Sequence, residues 1–106
     1  MTHPTIILQE AEDELWEAVA FYEQKCAGLG LDFENEVKAA LEVILNSPER
    51  WSLREDGTRR CLLRRFPYFI VYLYEAPRIW VIAFAHCKRK PRYWSGRVQQ
   101  EGGEVE

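Results

Sequence analysis

Two short runs constrain this chain more than anything else in it: Pro67 to Tyr74 (PYFIVYLY) and Ile79 to Ala85 (IWVIAFA). Both are dense in β-branched and aromatic residues, which fit a pleated surface. The segment between them, Glu75 to Arg78, contains Pro77 and reads as a turn, so the runs predict a β-hairpin. A strand with one wet face alternates apolar and polar residues, but here apolar residues fill both sets of positions. Both faces of the hairpin therefore need a cover.

The residues upstream supply one. Ala11, Leu15, Ala18, Val19, Tyr22 and Cys26 recur at helical spacing, with Asp13, Glu17 and Gln24 opposite them, and predict a helix from about Gln9 to Cys26. Glu10, Glu12, Asp13 and Glu14 crowd its first turn, where they suit the positive end of the helix dipole. Phe33, Val37, Ala40, Leu41 and Ile44 form a second stripe, from after Gly30 to about Asn46, and Pro48 stops it. Gly28 suits a left-handed end to the first helix. The short linker Ala27 to Gly30 folds the helices back as an antiparallel hairpin.

Thr5 to Leu8 reads as an opening strand, Trp51 to Leu53 as a weakly paired one and Arg59 to Phe66 as another, with a turn at Asp56-Gly57. The expected fold is α+β: an N-terminal strand and an α-helical hairpin on a curved antiparallel sheet, in one domain over residues 1–98. The outer sheet face is expected to hold Tyr68, Tyr72 or their neighbours and to be closed by a partner. Gln99 to Glu106 reads as a flexible acidic tail.

At 47% hydrophobic and 29% charged residues, the composition is that of a folded domain with a modest core. No apolar run approaches the roughly 18 residues of a membrane span, and the acidic N-terminal stretch is unlike a signal peptide. Cys26, Cys61 and Cys87 are odd in number and read as reduced thiols in a cytoplasmic protein. His86 beside Cys87 is too little for a zinc site, so neither metal nor cofactor is expected. The net charge of -3 conceals a division. Residues 1–50 hold 3 basic and 11 acidic side chains, a balance of -8, whereas residues 51–100 hold 11 basic and 3 acidic, a balance of +8. A clustered positive field attracts phosphates or an acidic partner whatever the total charge.

Arg64-Arg65-Phe66-Pro67-Tyr68, followed by Ile70 and Tyr72, resembles a strand signature of the RelE/ParE toxin superfamily. Val81 to His86, followed by Lys88-Arg89, Pro91, Tyr93, Trp94 and Arg97, is similar to another part of it. The acidic first helix, the Gly-Leu-Gly linker and Ser47-Pro48-Glu49-Arg50-Trp51 resemble the branch called plasmid stabilisation proteins. The resemblance covers about residues 5–97 and implies a toxin paired with an antitoxin encoded beside it. It implies one of two targets. ParE-like members bind and block DNA gyrase; RelE-like members cleave messenger RNA on the ribosome without a metal. Operator DNA would be met only through the antitoxin complex, no membrane is implied, and a homodimer is compatible with the sequence.

For a RelE-like reaction the candidates are His86, Arg65 and Tyr93. A base must take the ribose 2′-hydroxyl proton, a cation must face the phosphorane, and an acid must protonate the leaving oxygen. His86 has the right unperturbed range, though a structural histidine is the commoner role. Arg65 offers a planar fork to phosphate, or else a salt bridge to the first helix. Packing is the commoner role for Tyr93. Arg60, Arg64, Lys88, Arg89, Arg92 and Trp94 are candidate binding residues, since aromatic rings among cations favour a nucleic-acid or partner platform over a plain solvated surface. Strand alternation sets Arg60 and Arg64 on one face and Arg65 on the other. The reading as a whole expects these cations to share one docking site. The acidic helices, with Asp32, Glu34, Glu36 and Glu42 on the second, would repel ribosomal RNA. That favours the ParE-like reading, or a non-toxic orphan binding module, over the nuclease.

Overall fold

The two apolar runs pair as the sequence predicts. In the computed structural model, which describes residues 3–101 and side chains as far as Val98, β3 (Tyr68–Glu75) and β4 (Arg78–His86) form an antiparallel hairpin. Its register runs from Tyr68 opposite His86 to Glu75 opposite Arg78, with an irregularity at Val71/Tyr72. β2 (Arg59–Leu62) pairs antiparallel with β3, and β1 (Thr5–Ile7) pairs parallel with β4, in the order β1-β4-β3-β2. The sheet is thus mixed rather than antiparallel throughout. Parallel neighbours need a long crossover, and the helices with the strands beyond them provide it.

The hairpin of α1 (Gln9–Lys25) and α2 (Leu29–Asn46) lies on one face. Gly28 is left-handed, with φ +91°, but it caps the start of α2; α1 has already ended at Lys25. The Glu23 carboxylate accepts the N–H groups of Gly28 at 2.9 Å and Gly30 at 3.0 Å, two amides near a helix start that lack a turn before them. Gly30 also sets how closely the helices approach. A Cβ there would lie 2.6 Å from the carbonyl oxygen of Val19.

Ring contacts and alternation assign the sheet faces. Tyr68 packs against Tyr22 and Phe33, and Tyr74 meets His3, itself bonded to the Leu45 carbonyl at the end of α2. The Tyr72 hydroxyl donates to the Pro48 carbonyl at 2.6 Å. Tyr68 and Tyr72 therefore lie under the helices, not on the outer face. That outer face carries Phe69, and the chain covers it with its own Trp94, 5.9 Å from the Phe69 ring and only 1% exposed. α3 (Ser95–Glu101) follows Trp94. Its last residues enter the stretch expected to be a tail; residues 102–106 lie outside the described residues.

Two expected strands differ. Trp51 to Leu53 is not a strand, and Trp51 packs on Tyr72 with ring centres 6.3 Å apart. The strand expected to reach Phe66 stops at Leu62. Just beyond, Glu36 on α2 accepts the backbone N–H groups of both Arg64 and Arg65, which draws the chain out of the sheet. The Asp56-Gly57 turn is present, with Gly57 at φ +86°.

Candidate functional site

Glu14 lies three residues after Ala11 and four before Ala18, on the buried stripe of α1. Its carboxylate meets β4 beyond the last residue paired with β1. One oxygen accepts the Phe84 N–H at 3.1 Å and an Arg97 N–H at 3.1 Å; the other accepts the Tyr93 hydroxyl at 2.8 Å and Arg97 at 3.0 Å. Arg97 also donates to the Ile82 carbonyl at 3.1 Å. Side chains thus seal an edge that would otherwise be open. Burial, then the hydrogen bond and charge of Glu14, push the Tyr93 hydroxyl well above the ordinary tyrosine range, so it stays a donor to Glu14. Arg89 stacks over the Tyr93 ring at 4.1 Å, with Glu14 3.9 Å away. His86 borders a hollow of about 260 Å³ with Glu14, Glu17, Tyr68 and Arg89. Its Nδ1 accepts the Lys88 N–H at 3.0 Å, which leaves Nε2 as the protonated nitrogen of the neutral ring.

Arg64 and Arg65 are not in a strand, so alternation does not place them. Arg65 stands 3.6 Å from Asp32, at the start of α2, and over the Phe66 ring at 5.3 Å. Its ion pair is with the second helix, where the sequence suggested the first. Lys88 is exposed beyond β4.

Arg60 is on the outer face. Its guanidinium lies 4.9 Å from the Trp94 ring centre and 5.6 Å from that of Phe69. Asp56 organises this corner: one oxygen accepts the Thr58 N–H at 3.0 Å and hydroxyl at 2.6 Å, and the other accepts the Trp94 indole N–H at 3.4 Å. Burial pushes the Asp56 carboxyl up, but the Thr58 and Trp94 hydrogen bonds and the Arg60 charge together outweigh it and hold the group below the ordinary carboxylate value. A depressed folded-state pKa stabilises the fold above the unfolded-state value, and that stabilisation is lost as pH falls through the folded-state one. Asp56→Asn should cost about 1–2 kcal/mol at neutral pH. In urea unfolding, its deficit relative to the parent protein should shrink as the solution is acidified; a deficit constant with pH would assign Asp56 no charged role.

The cations therefore do not all share one docking site. His86, Tyr93 and Arg89 gather near Glu14, Arg60 lies on the outer face with Trp94, and Arg64 and Arg65 stand beside α2. Trp94 is core rather than an exposed platform. The sequence reading missed Glu14, Arg97 and Asp56. A signal existed for Glu14, an acid on an apolar stripe; Arg97 stood only in the family resemblance and Asp56 only in a turn.

The opposite edge of the sheet is open. The Leu63 N–H bonds to the Tyr68 carbonyl at 3.0 Å, so the backbone groups of Arg60 and Leu62 point away from β3. Beside that edge runs a groove of about 410 Å³ between α2 and β2, lined by Ala39, Val43, Arg50, Trp51, Leu62 and Arg64 among others. Leu62 is 65% exposed.

No protein-family model matches the chain, and no curated protein matches it. Among solved structures it is similar to a chain from the chromosomal ParDE TA system of P. aeruginosa, with a TM-score of 0.68 and 13% identity, over 80% of this chain and 96% of that one. The fold is RelE/ParE-like. In this RelE/ParE-like domain the β4 edge is closed by Glu14 and Arg97, while the β2 edge and its groove are open. No described helix is long and apolar enough to cross a membrane, and no group of three metal-ligating side chains occurs among the described residues.

Proposed function

We propose that the chain is the toxin of a type II toxin–antitoxin pair, a ParE-like cytoplasmic protein that blocks DNA gyrase and is neutralised by a cognate antitoxin. The observation that carries this reading is the backbone likeness to a chain of a ParDE TA system over nearly all of that chain. The open β2 edge supports the antitoxin. An extended segment can add there as a further strand, with apolar side chains entering the groove against Val43 and Leu62. Arg50 and Arg64 at the groove favour an acidic segment. Target binding rather than catalysis is favoured because the Tyr93 hydroxyl is committed to Glu14 and Arg65 pairs with Asp32. The acidic helices also disfavour ribosomal RNA.

Induced expression without the neighbouring gene tests the target: inhibited supercoiling with intact messages is expected, unchanged by His86→Ala. Cut messages with normal supercoiling would replace this reading with the RNase one. For the antitoxin, Leu62→Arg should weaken binding of the neighbouring gene's product about thirtyfold, equivalent to about 2 kcal/mol at a central contact. Unchanged affinity would move the antitoxin elsewhere.

A further inference from the structure

On the face away from the helix hairpin is an open hollow of about 490 Å³ whose lining includes Arg54, Asp56, Arg60, Pro91 and Arg92. Its three guanidinium groups come from separate segments: the loop before β2, β2 itself and the stretch after β4. Of the three, only Arg60 is in an ion pair among the described residues, with Asp56 at 3.9 Å, and that acid already serves Thr58 and Trp94. Glu55 also borders the hollow but is in no ion pair among the described residues, and neither are Arg54 and Arg92.

Arg60 and Arg92 carry two further features. The Nε of Arg60 is buried with no hydrogen-bond partner, an unusual state for a charged donor. Arg92 adopts a left-handed backbone, φ +58°, which a residue with a side chain rarely takes and which is often retained at ligand sites. The Arg60 guanidinium is held below the ordinary arginine range by burial first and then by repulsion from Arg54 and Arg92, against the opposing pull of Asp56. A bound anion would relieve that repulsion.

We propose that Arg54, Arg60 and Arg92 form a binding site for a phosphate group. Phosphate offers more oxygens than a carboxylate and matches several planar forks at once. The site lies on the face opposite the helix hairpin, and neither its position nor its chemistry depends on the toxin reading.

The test is calorimetric titration of the full chain with inorganic phosphate, a nucleoside monophosphate and a short single-stranded oligoribonucleotide, all at one fixed ionic strength. Saturable binding of phosphate is expected, with Arg54→Gln and Arg92→Gln each weakening it about tenfold, equivalent to about 1.4 kcal/mol. Lys38→Gln, on the exposed surface of α2, should leave it unchanged. Both arginines are exposed, so these variants should fold; unfolding curves verify this. Equal affinity for the three probes assigns a free phosphate, and a preference for the oligonucleotide that Arg92→Gln removes assigns a strand phosphate. Binding that fails to saturate, or that responds alike to Arg92→Gln and Lys38→Gln, overturns the site.

Discussion

Replacing Trp94 with alanine is expected to cost about 3–5 kcal/mol, the range for removing a buried aromatic. The ring is 1% exposed, meets Phe69 and Tyr93, lies 4.9 Å from the Arg60 guanidinium and donates its indole N–H to Asp56. A small domain has roughly 5–15 kcal/mol in all, so the variant should approach unfolding at room temperature. Trp94→Phe keeps most of the volume and loses the hydrogen bond, so its cost should be about 1 kcal/mol from that bond. Urea unfolding separates the two. Were Trp94 an exposed partner platform, the alanine variant would keep its stability and lose only binding.

The second large effect is expected at Glu14. Alanine there strands the Arg97 guanidinium, the Tyr93 hydroxyl and the Phe84 N–H together. Breaking a buried ion pair from one side costs about 3–5 kcal/mol, and residual exposure of 12% for Glu14 and 18% for Arg97 argues for the lower end. Adding Arg97→Met to Glu14→Ala should recover part of the loss, because no cation is then left unpaired. The same variant should bare the β4 edge. Light scattering should then detect self-association that the parent protein lacks. If the double variant loses as much stability as Glu14→Ala and Arg97→Met lose separately and summed, Glu14 and Arg97 are not coupled.

The groove beside β2 and the arginine hollow were legible in the sequence only as a surplus of positive charge. The balance of +8 over residues 51–100 was real, but Arg60, Arg65 and Arg89 pair with Asp56, Asp32 and Glu14, at separate places. Charge counts are blind to direction.

By itself, the sequence determined the order of the principal elements. Stripes such as Phe33, Val37 and Ile44 mark a helix because a helix repeats every few residues, and the runs of β3 and β4 mark strands because both their faces are apolar. Gly28 and Gly57 could be read because positive φ is a local demand of the backbone. Tertiary structure decided the rest. Trp94 stands in the basic stretch KRKPRYW and looks solvated until the outer face of the sheet meets it. Glu14 looks like a helix-dipole acid until β4 and Arg97 arrive beside it. Local patterns report which side chains prefer water; which distant surface removes that water is settled only when the elements pack.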